Sequence, residues 1–174
     1  KRVRSPADRC AGSPIPDFIY GINMGMEFGA FDLNLNFNGE LGKEIYNAKR
    51  AQRFDTYNFH TDYLDRWTSP GSSNDQPRVT NGGHNYQVSQ RFLEDGSYFR
   101  LRNVQLGYTL PSGASENLGI NNVRIYISGT NVFTITDYSG YTPEIPGDNL
   151  LSVGIDQGVY PISSIYSAGI NASF

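Results

Sequence analysis

Five stretches of the chain place apolar residues at every second position, the period of a β-strand whose two faces meet different surroundings. In the first, Phe18, Tyr20, Ile22, Met24, Met26 and Phe28 share one face, while Ile19, Gly21, Asn23, Gly25 and Glu27 share the other. The second sets Phe31, Leu33, Leu35 and Phe37 against Asp32, Asn34, Asn36 and Asn38, and only Gly29-Ala30 separates the two, which predicts a tight hairpin. The third runs from about Tyr98 to Leu110 and sets Val104, Leu106, Tyr108 and Leu110 against Gln105, Gly107 and Thr109. Upstream, Phe99 and Leu101 fall on the opposite parity, which predicts either a bulge near Arg102 or a strand that runs on past the membrane. The fourth alternates Val123, Ile125 and Ile127 with Arg124, Tyr126 and Ser128. The fifth puts Tyr166, Ala168, Ile170, Ala172 and Phe174 on one face and Ser167, Gly169, Asn171 and Ser173 on the other.

Each segment matches the roughly 9–11 residues of a tilted membrane-crossing strand. A sandwich core asks for the same alternation, so the connections have to discriminate. They run short (Gly29-Ala30), long (42–97), shorter (Pro111 to Asn122), then long again (132–164). Outer-membrane barrels have short periplasmic turns and longer extracellular loops. If the C-terminus is periplasmic, both long segments, 42–97 and 132–164, become extracellular loops and every other connection alternates correctly. The fold class expected is all-β, an antiparallel membrane β-barrel segment.

The long segments have some structure of their own. Glu44–Ala51 and His60–Trp67 are each predicted to form a short helix, Ser69-Pro70-Gly71-Ser72-Ser73-Asn74-Asp75 is a turn-rich break, and Thr142-Pro143-Glu144-Ile145-Pro146-Gly147 again carries turn residues.

Composition agrees with strands that have one wet and one greasy face. Aromatic residues reach 13% and glycine contributes 19 of 174 positions, yet the chain is polar on average. The net charge of −3 advertises no nucleic-acid surface. Cys10 is the single cysteine, so no internal disulfide and no cysteine zinc site is expected. No apolar run approaches a membrane helix, and Lys1-Arg2-Val3-Arg4 is not followed by the apolar stretch of a signal peptide. The strand pattern favours a piece of a longer exported chain over a cytoplasmic protein.

No catalytic machinery is expected: there is no glycine-rich phosphate loop after a strand and no nucleophile in a recognisable elbow. His60, Asp62 and Asp65 have spacings that metal ligands use, and Asp148, Asp156 and Glu144 are the carboxylates a calcium site in the last loop would draw on. A solvated helix and an ordinary polar loop explain both groups as well, so neither a metal nor a cofactor is assigned. The inward row of a barrel supplies the solute-contact candidates Asn23, Asn34, Asn36, Asn38, Gln105 and Arg124, whose amides suit neutral polar solutes; water-filled lumens need polar linings in any case. Tyr20, Phe28, Phe31, Tyr108 and Tyr166 fit interfacial girdles. The loop aromatics Tyr57, Phe59, Tyr63, Tyr138 and Tyr141 fit either stacking on sugars, packing on a covering protein, or a core of the loop itself; Trp67 is expected to pack within the loop.

Several stretches resemble SusC/RagA-type TonB-dependent transporters of the Bacteroidetes. They are Gly12-Ser13-Pro14-Ile15-Pro16-Asp17-Phe18, Asp65-Arg66-Trp67-Thr68, Arg78-Val79-Thr80, Ser97-Tyr98-Phe99-Arg100-Leu101-Arg102-Asn103-Val104 and Leu106-Gly107-Tyr108-Thr109-Leu110-Pro111. Arg124-Ile125-Tyr126-Ile127-Ser128-Gly129-Thr130-Asn131, Tyr138-Ser139-Gly140-Tyr141-Thr142-Pro143-Glu144 and Asp156 to Pro161 continue the match in the family's order. The resemblance implies the C-terminal part of a barrel of about 22 strands, of which residues 1–174 supply about five. It further implies a plug and a TonB-contacting segment upstream, a SusD-like surface lipoprotein over the mouth, and import of oligosaccharides or peptides across the outer membrane of a Gram-negative bacterium. Tyr166, Ile170 and Phe174 resemble the signal read by the barrel-assembly machinery. A soluble β-sandwich that binds glycans at the cell surface and a passive porin are the rival readings; the first must bury the apolar face that a barrel gives to outer-membrane lipid.

Overall fold

The computed structural model describes residues 12–52, 61–80, 85, 87–111, 113, 120–147 and 152–173. Eight strands are present among them: β1 (Phe18–Phe28), β2 (Phe31–Leu41), β3 (Glu44–Asn47), β4 (Leu93–Asp95), β5 (Tyr98–Thr109), β6 (Asn122–Thr136), β7 (Ile155–Asp156) and β8 (Ile165–Ser173). The chain divides into two compact units, a sheet unit built from 17–42, 97–137 and 161–174 and a loop unit built from 1–16, 43–96 and 138–160.

In the sheet unit five strands run antiparallel in the order β1-β2-β5-β6-β8, so that strands consecutive in this unit always pair. The five are the segments whose alternation marked them in the sequence. The β1–β2 hairpin closes through Gly29, whose φ of 60° is the left-handed conformation that a two-residue reversal needs and that glycine adopts without a Cβ clash.

The register assembles one apolar face across all five strands. Phe28, Phe31, Tyr108, Ile125 and Ile170 form one cross-strand row, and Met26, Leu33, Leu106, Ile127 and Ala168 form the next. Phe99 and Leu101 join the same face because of a bulge. Arg102 has no partner on β2, where Asn36 pairs with Asn103 and Phe37 with Leu101. Opposite Arg102, β6 is also irregular: Asn103 pairs with Thr130 and Leu101 with Phe133, which leaves Asn131 and Val132 between them. Asn131 sits there at φ 52°, the left-handed value found in glycine-type bulges and tolerated by asparagine. Of the two explanations for the parity slip, the bulge is the one found.

Three tyrosines lie directly opposite glycines across the ladder: Tyr20 opposite Gly39, Tyr166 opposite Gly129 and Tyr126 opposite Gly169. A Cβ on any of these glycines would press on the facing ring. The missing side chain makes the seat in which the ring lies, restoring packing that a strand glycine otherwise forfeits.

The loop unit has a three-stranded sheet in the order β4-β3-β7, with β3 antiparallel to β4 and parallel to β7. The helix expected over Glu44–Ala51 begins only after β3, as α1 (Ala48–Gln52). Ile45 and Asn47 are buried at alternate positions, which is the strand period, and Asn47 Oδ1 accepts from the Arg50 N–H at 3.2 Å, ending the strand and capping the helix. The second expected helix is a 3₁₀ turn over Thr61–Asp65; His60 lies outside the described residues. Ile45, Ala48, Phe92 and Tyr138 form the interior, with Tyr46 edge-on to Phe92 at 6.2 Å. The segment 132–164, expected as loop throughout, instead carries β6 as far as Thr136 and the short β7.

Candidate functional site

The candidate site is the polar face of the sheet unit. Register places Asn23, Asn34, Asn36, Asn38, Gln105 and Arg124 on that single face. Asn23, Asn36, Asn103 and Thr130 make one cross-strand row; Asn34, Gln105, Ser128 and Ser167 make the next. In the first row Asn36 donates to the Asn23 carbonyl oxygen, and Thr130 Oγ1 donates to Asn103 Oδ1 at 3.1 Å. These rows flank a groove of ≈ 440 Å³.

The structure separates the six sequence candidates by what they do. Asn23, Asn34, Asn36 and Gln105 line the groove. Asn38 turns instead to Tyr98, donating to its hydroxyl at 3.4 Å. Arg124 is engaged with Asp32 through two hydrogen bonds, Nε at 2.9 Å and an Nη at 2.5 Å. That pair bridges β2 and β6 across the intervening β5, and it does so over Gly107, where a Cβ would collide with both partners. Sequence reasoning missed Asn103, Ser128 and Thr130 as groove residues. The bulge at Arg102 hid the facing of Asn103, and Thr130 lies beyond the point where the alternation of β6 is legible.

At the other end of the same face Arg100 is 4% exposed, donates through Nε to Thr134 Oγ1 at 2.7 Å and stacks 5.3 Å from the Tyr98 ring. Arg124, Asp32 and Arg100 are therefore held by wall partners above and below the groove, while Glu27 on the same face is exposed.

The loop aromatics divide as well. Tyr63 and Tyr138 are buried, so for these two the core of the loop is the observed role. Tyr141 is 72% exposed and lies 4.7 Å from Lys49 Nζ. Tyr57 and Phe59 lie outside the described residues. Trp67 is half-buried, and its backbone N–H donates to the Gln76 backbone carbonyl at 2.9 Å.

Two ionic nodes hold the loop unit. Asp156 is 1% exposed, accepts from the Tyr138 hydroxyl at 2.5 Å and from the N–H groups of Gly158 and Val159 at 2.8 and 3.0 Å, and pairs with Lys49 at 2.8 Å. Burial pushes its carboxyl up, but those donors together outweigh burial and bring it down to about 2. Burial and the Asp156 charge push the Tyr138 phenol well above its ordinary value. Glu94 accepts from Asn47 at 3.0 Å, Arg50 at 3.0 Å and the Ser139 N–H at 3.0 Å; against the upward push of burial, these donors lower it. Arg50 also reaches Asp62 at 2.8 Å.

These nodes engage two of the carboxylates weighed as metal ligands in the sequence. Asp156 is engaged by a lysine and three hydrogen-bond donors, the surrounding of a structural carboxylate. Asp62 is spent on Arg50. Among the described residues no cluster of histidine, cysteine and carboxylates suits a metal ion; Asp148 and His60 lie outside them.

The proposed insertion-signal residues Tyr166 and Ile170 stand on the apolar face, 69% and 68% exposed; Phe174 lies outside the described residues.

No family model matches the chain. It is 35% identical over 178 residues to TonB-dependent receptor P3 of Formosa agariphila, an alignment covering 98% of this chain and 18% of the relative. It is 24% identical over 171 residues to TonB-dependent receptor SusC of Bacteroides thetaiotaomicron, covering 92% of this chain and 15% of that one. Among solved structures, the RagAB peptide importer in the 'closed-closed' state superposes with a TM-score of 0.78 at 27% identity, over 95% of this chain and 18% of that one. The chain spans less than a fifth of the length of these proteins.

Proposed function

Because the chain is a SusC/RagA-like fragment of a TonB-dependent receptor barrel, we propose that it serves as barrel wall and mouth in an outer-membrane importer of nutrients such as oligosaccharides or peptides. The observation that carries this reading is the exposed apolar face. Met24, Ile127 and Ile170 are 46%, 57% and 68% exposed, and they belong to rows that continue unbroken through the whole sheet. In water such a face is an aggregation hazard; in a bilayer it is the contact surface.

The dimensions fit. From Phe18 to Phe28 the strand rises ~33 Å, which at a tilt of ~40° gives an apolar band of ~25 Å. Aromatics gather toward its two ends, with Phe31 4.8 Å from Tyr108 near the short turn and Phe37 5.2 Å from Phe99 toward the other end. The rival sandwich would bury this face, and the sheet unit leaves it open.

In this reading the loop unit lies outside the cell and the Gly29-Ala30 turn is periplasmic. A SusD-like surface lipoprotein covers the mouth, in keeping with the two-component name of the RagAB importer. TonB acts on parts of the longer protein outside this segment, and the barrel-assembly machinery reads Tyr166, Ile170 and Phe174. The test is uptake by cells carrying the full-length receptor, with and without an active TonB system. TonB-dependent uptake of an oligosaccharide or peptide that is lost on deleting the receptor is the expected result. Uptake that persists without TonB would indicate a passive porin.

A further inference from the structure

We propose that β8 is set in register by a relay of contacts that starts on β2 and ends on two tyrosine–glycine seats, one on each face of the sheet. The proposal needs only the barrel wall of the reading above and goes beyond it, to how the strand bearing Tyr166 and Ile170 is locked into place.

The need for a lock lies in how β8 is attached. β1 and β2 are joined by the two-residue Gly29-Ala30 turn, which fixes their register by itself. β6 and β8 are joined through residues 137–164, a connection too long to fix anything. A slip by one residue is excluded, because it would turn Ile170 from lipid to water. A slip by two is not. It moves β8 by ~7 Å and still sets apolar against apolar, with Ile127 meeting Ile170 or Tyr166 in place of Ala168. Alternation alone therefore leaves three registers open, and each gives the barrel a different stagger.

The seats choose among them. On the polar face Tyr126 of β6 lies over Gly169 of β8, where an added Cβ would come within 2.6 Å of the ring. Gly169 is the one position from Ile165 to Ser173 that is not exposed. On the apolar face the roles reverse: Tyr166 of β8 lies against Gly129 of β6, whose added Cβ would stand 3.3 Å from the ring. After a slip by two, Tyr126 faces Ser167 or Asn171, and Tyr166 faces Ile127 or Asn131. Neither ring then has a seat.

The polar-face seat is held independently of β8. The Arg124 guanidinium stands 5.4 Å from the Tyr126 ring centre. It is itself held by two hydrogen bonds to Asp32 on β2, over the clearing that Gly107 leaves on β5. Asp32, Arg124, Tyr126 and Gly169 thus make a continuous line of contact from β2 to β8. Asn131 and Ser164 also tie β6 to β8, through Asn131 Nδ2 to the Ser163 carbonyl at 3.3 Å and Ser164 Oγ to the Asn131 carbonyl at 2.6 Å. Those bonds end on main-chain oxygens, which every register presents, so they fasten β8 more than they place it.

The experiment uses the full-length receptor in outer-membrane vesicles, with every other cysteine replaced, Cys10→Ser included, and mild oxidation to form disulfides. Facing positions are within reach of a disulfide and diagonal ones are not. Ser128→Cys with Ser167→Cys reads the observed register. Thr130→Cys with Ser167→Cys reads a slip by two in one direction, and Ser128→Cys with Ile165→Cys the other. The parent should form the first disulfide alone. Tyr126→Ala with Tyr166→Ala should raise the ratio of slipped to observed disulfide roughly tenfold. Tyr126→Phe with Tyr166→Phe keeps both rings and should leave the ratio at the parent's value. Arg124→Gln in the Tyr166→Ala background cuts the relay with Tyr126 intact and should raise the ratio about threefold over that background.

Heat-modifiable migration on gels selects the folded barrels; if the double alanine variant yields none, the two single alanine variants are read in its place. A ratio unmoved by the alanine variants, or moved as far by the phenylalanine ones, overturns the proposal. So does a parent that forms a slipped disulfide as readily as the observed one. The importer reading fails by a different result, uptake that does not depend on TonB, which leaves the disulfide pattern as it is.

Discussion

The two units of this chain obey opposite rules of burial. In the loop unit apolar side chains go inside: Ile45, Ala48 and Phe92 are almost fully buried, and the acids among them are surrounded by lysine, arginine, tyrosine and backbone donors. In the sheet unit the apolar side chains face outward and the polar ones line a groove. One sequence therefore encodes two solvents. A unit that meets water on all sides needs a core, and a wall between lipid and water needs only two unlike faces.

The comparison breaks most readily at Asp156. Asp156→Ala strands Lys49 and the Tyr138 hydroxyl, and the loop unit should lose about 3–5 kcal/mol, the usual cost of removing one partner of a buried pair. Chymotrypsin should then cut between residues 61 and 80 in intact cells while the sheet unit stays resistant. Asp156→Asn, which keeps the hydrogen-bond acceptor, should lose less.

The sheet unit should answer to facing alone. Val104→Arg puts a cation on the lipid side near mid-height and should cost about 2–4 kcal/mol in barrel unfolding by denaturant. Gln105→Arg, one residue away and on the other face, should stay within ~0.5 kcal/mol. Equal effects at the two positions would abolish the distinction between the faces.

Gly107→Ala sharpens the comparison from within the wall. Its Cβ would strike Asp32 and Arg124, so the bridge across β5 must open, at a cost of about 1–3 kcal/mol in the same unfolding assay. Asp32→Ala in the Gly107→Ala background should recover part of that loss by removing the clash.

The mildest test titrates the loop unit without altering a side chain. Asp156 has a carboxyl pKa of about 2 in the folded chain against an ordinary value of 3.8. The folded state binds this proton less readily than the unfolded state, so its contribution to stability is complete above pH ~4 and is lost as pH falls toward and through 2. Protease resistance of the loop unit should hold at pH 5 and fall between pH 4 and 2.

How much was legible in the sequence follows from the same contrast. The membrane strands announce themselves because a two-faced wall imposes period-two alternation, and even the Arg102 bulge shows as a slip of parity at Phe99 and Leu101. The end of β6 was illegible because Gly129 carries no apolar side chain, Asn131 takes the next place in the alternation in a left-handed conformation, and Val132 falls out of phase before Phe133 and Ile135 resume it. The loop unit was harder still. β3, β4 and β7 are 4, 3 and 2 residues long, too short for any period to show. Asp156 looks like a lone acid until folding brings Lys49 and Tyr138 to it. For the candidate site, alternation identified the face, but pairing across strands decided which residues are free. Arg124 and Asn38 share the face of Gln105, yet Asp32 and Tyr98, distant in sequence, claim them.

The central claim is that the sheet has one lipid face and one water face, with the phase reset at Arg102. The most direct measurement is nitroxide scanning of residues 99–109 in the full-length receptor in membranes, reading accessibility to oxygen and to a water-soluble nickel chelate. Val104, Leu106 and Tyr108 should favour oxygen, and Asn103, Gln105 and Gly107 the chelate. Across Arg102 the alternation should slip by one position, so that Phe99 and Leu101 also favour oxygen. A scan without alternation, or one in which both reagents are excluded from the apolar positions as in the core of a soluble sandwich, would contradict it.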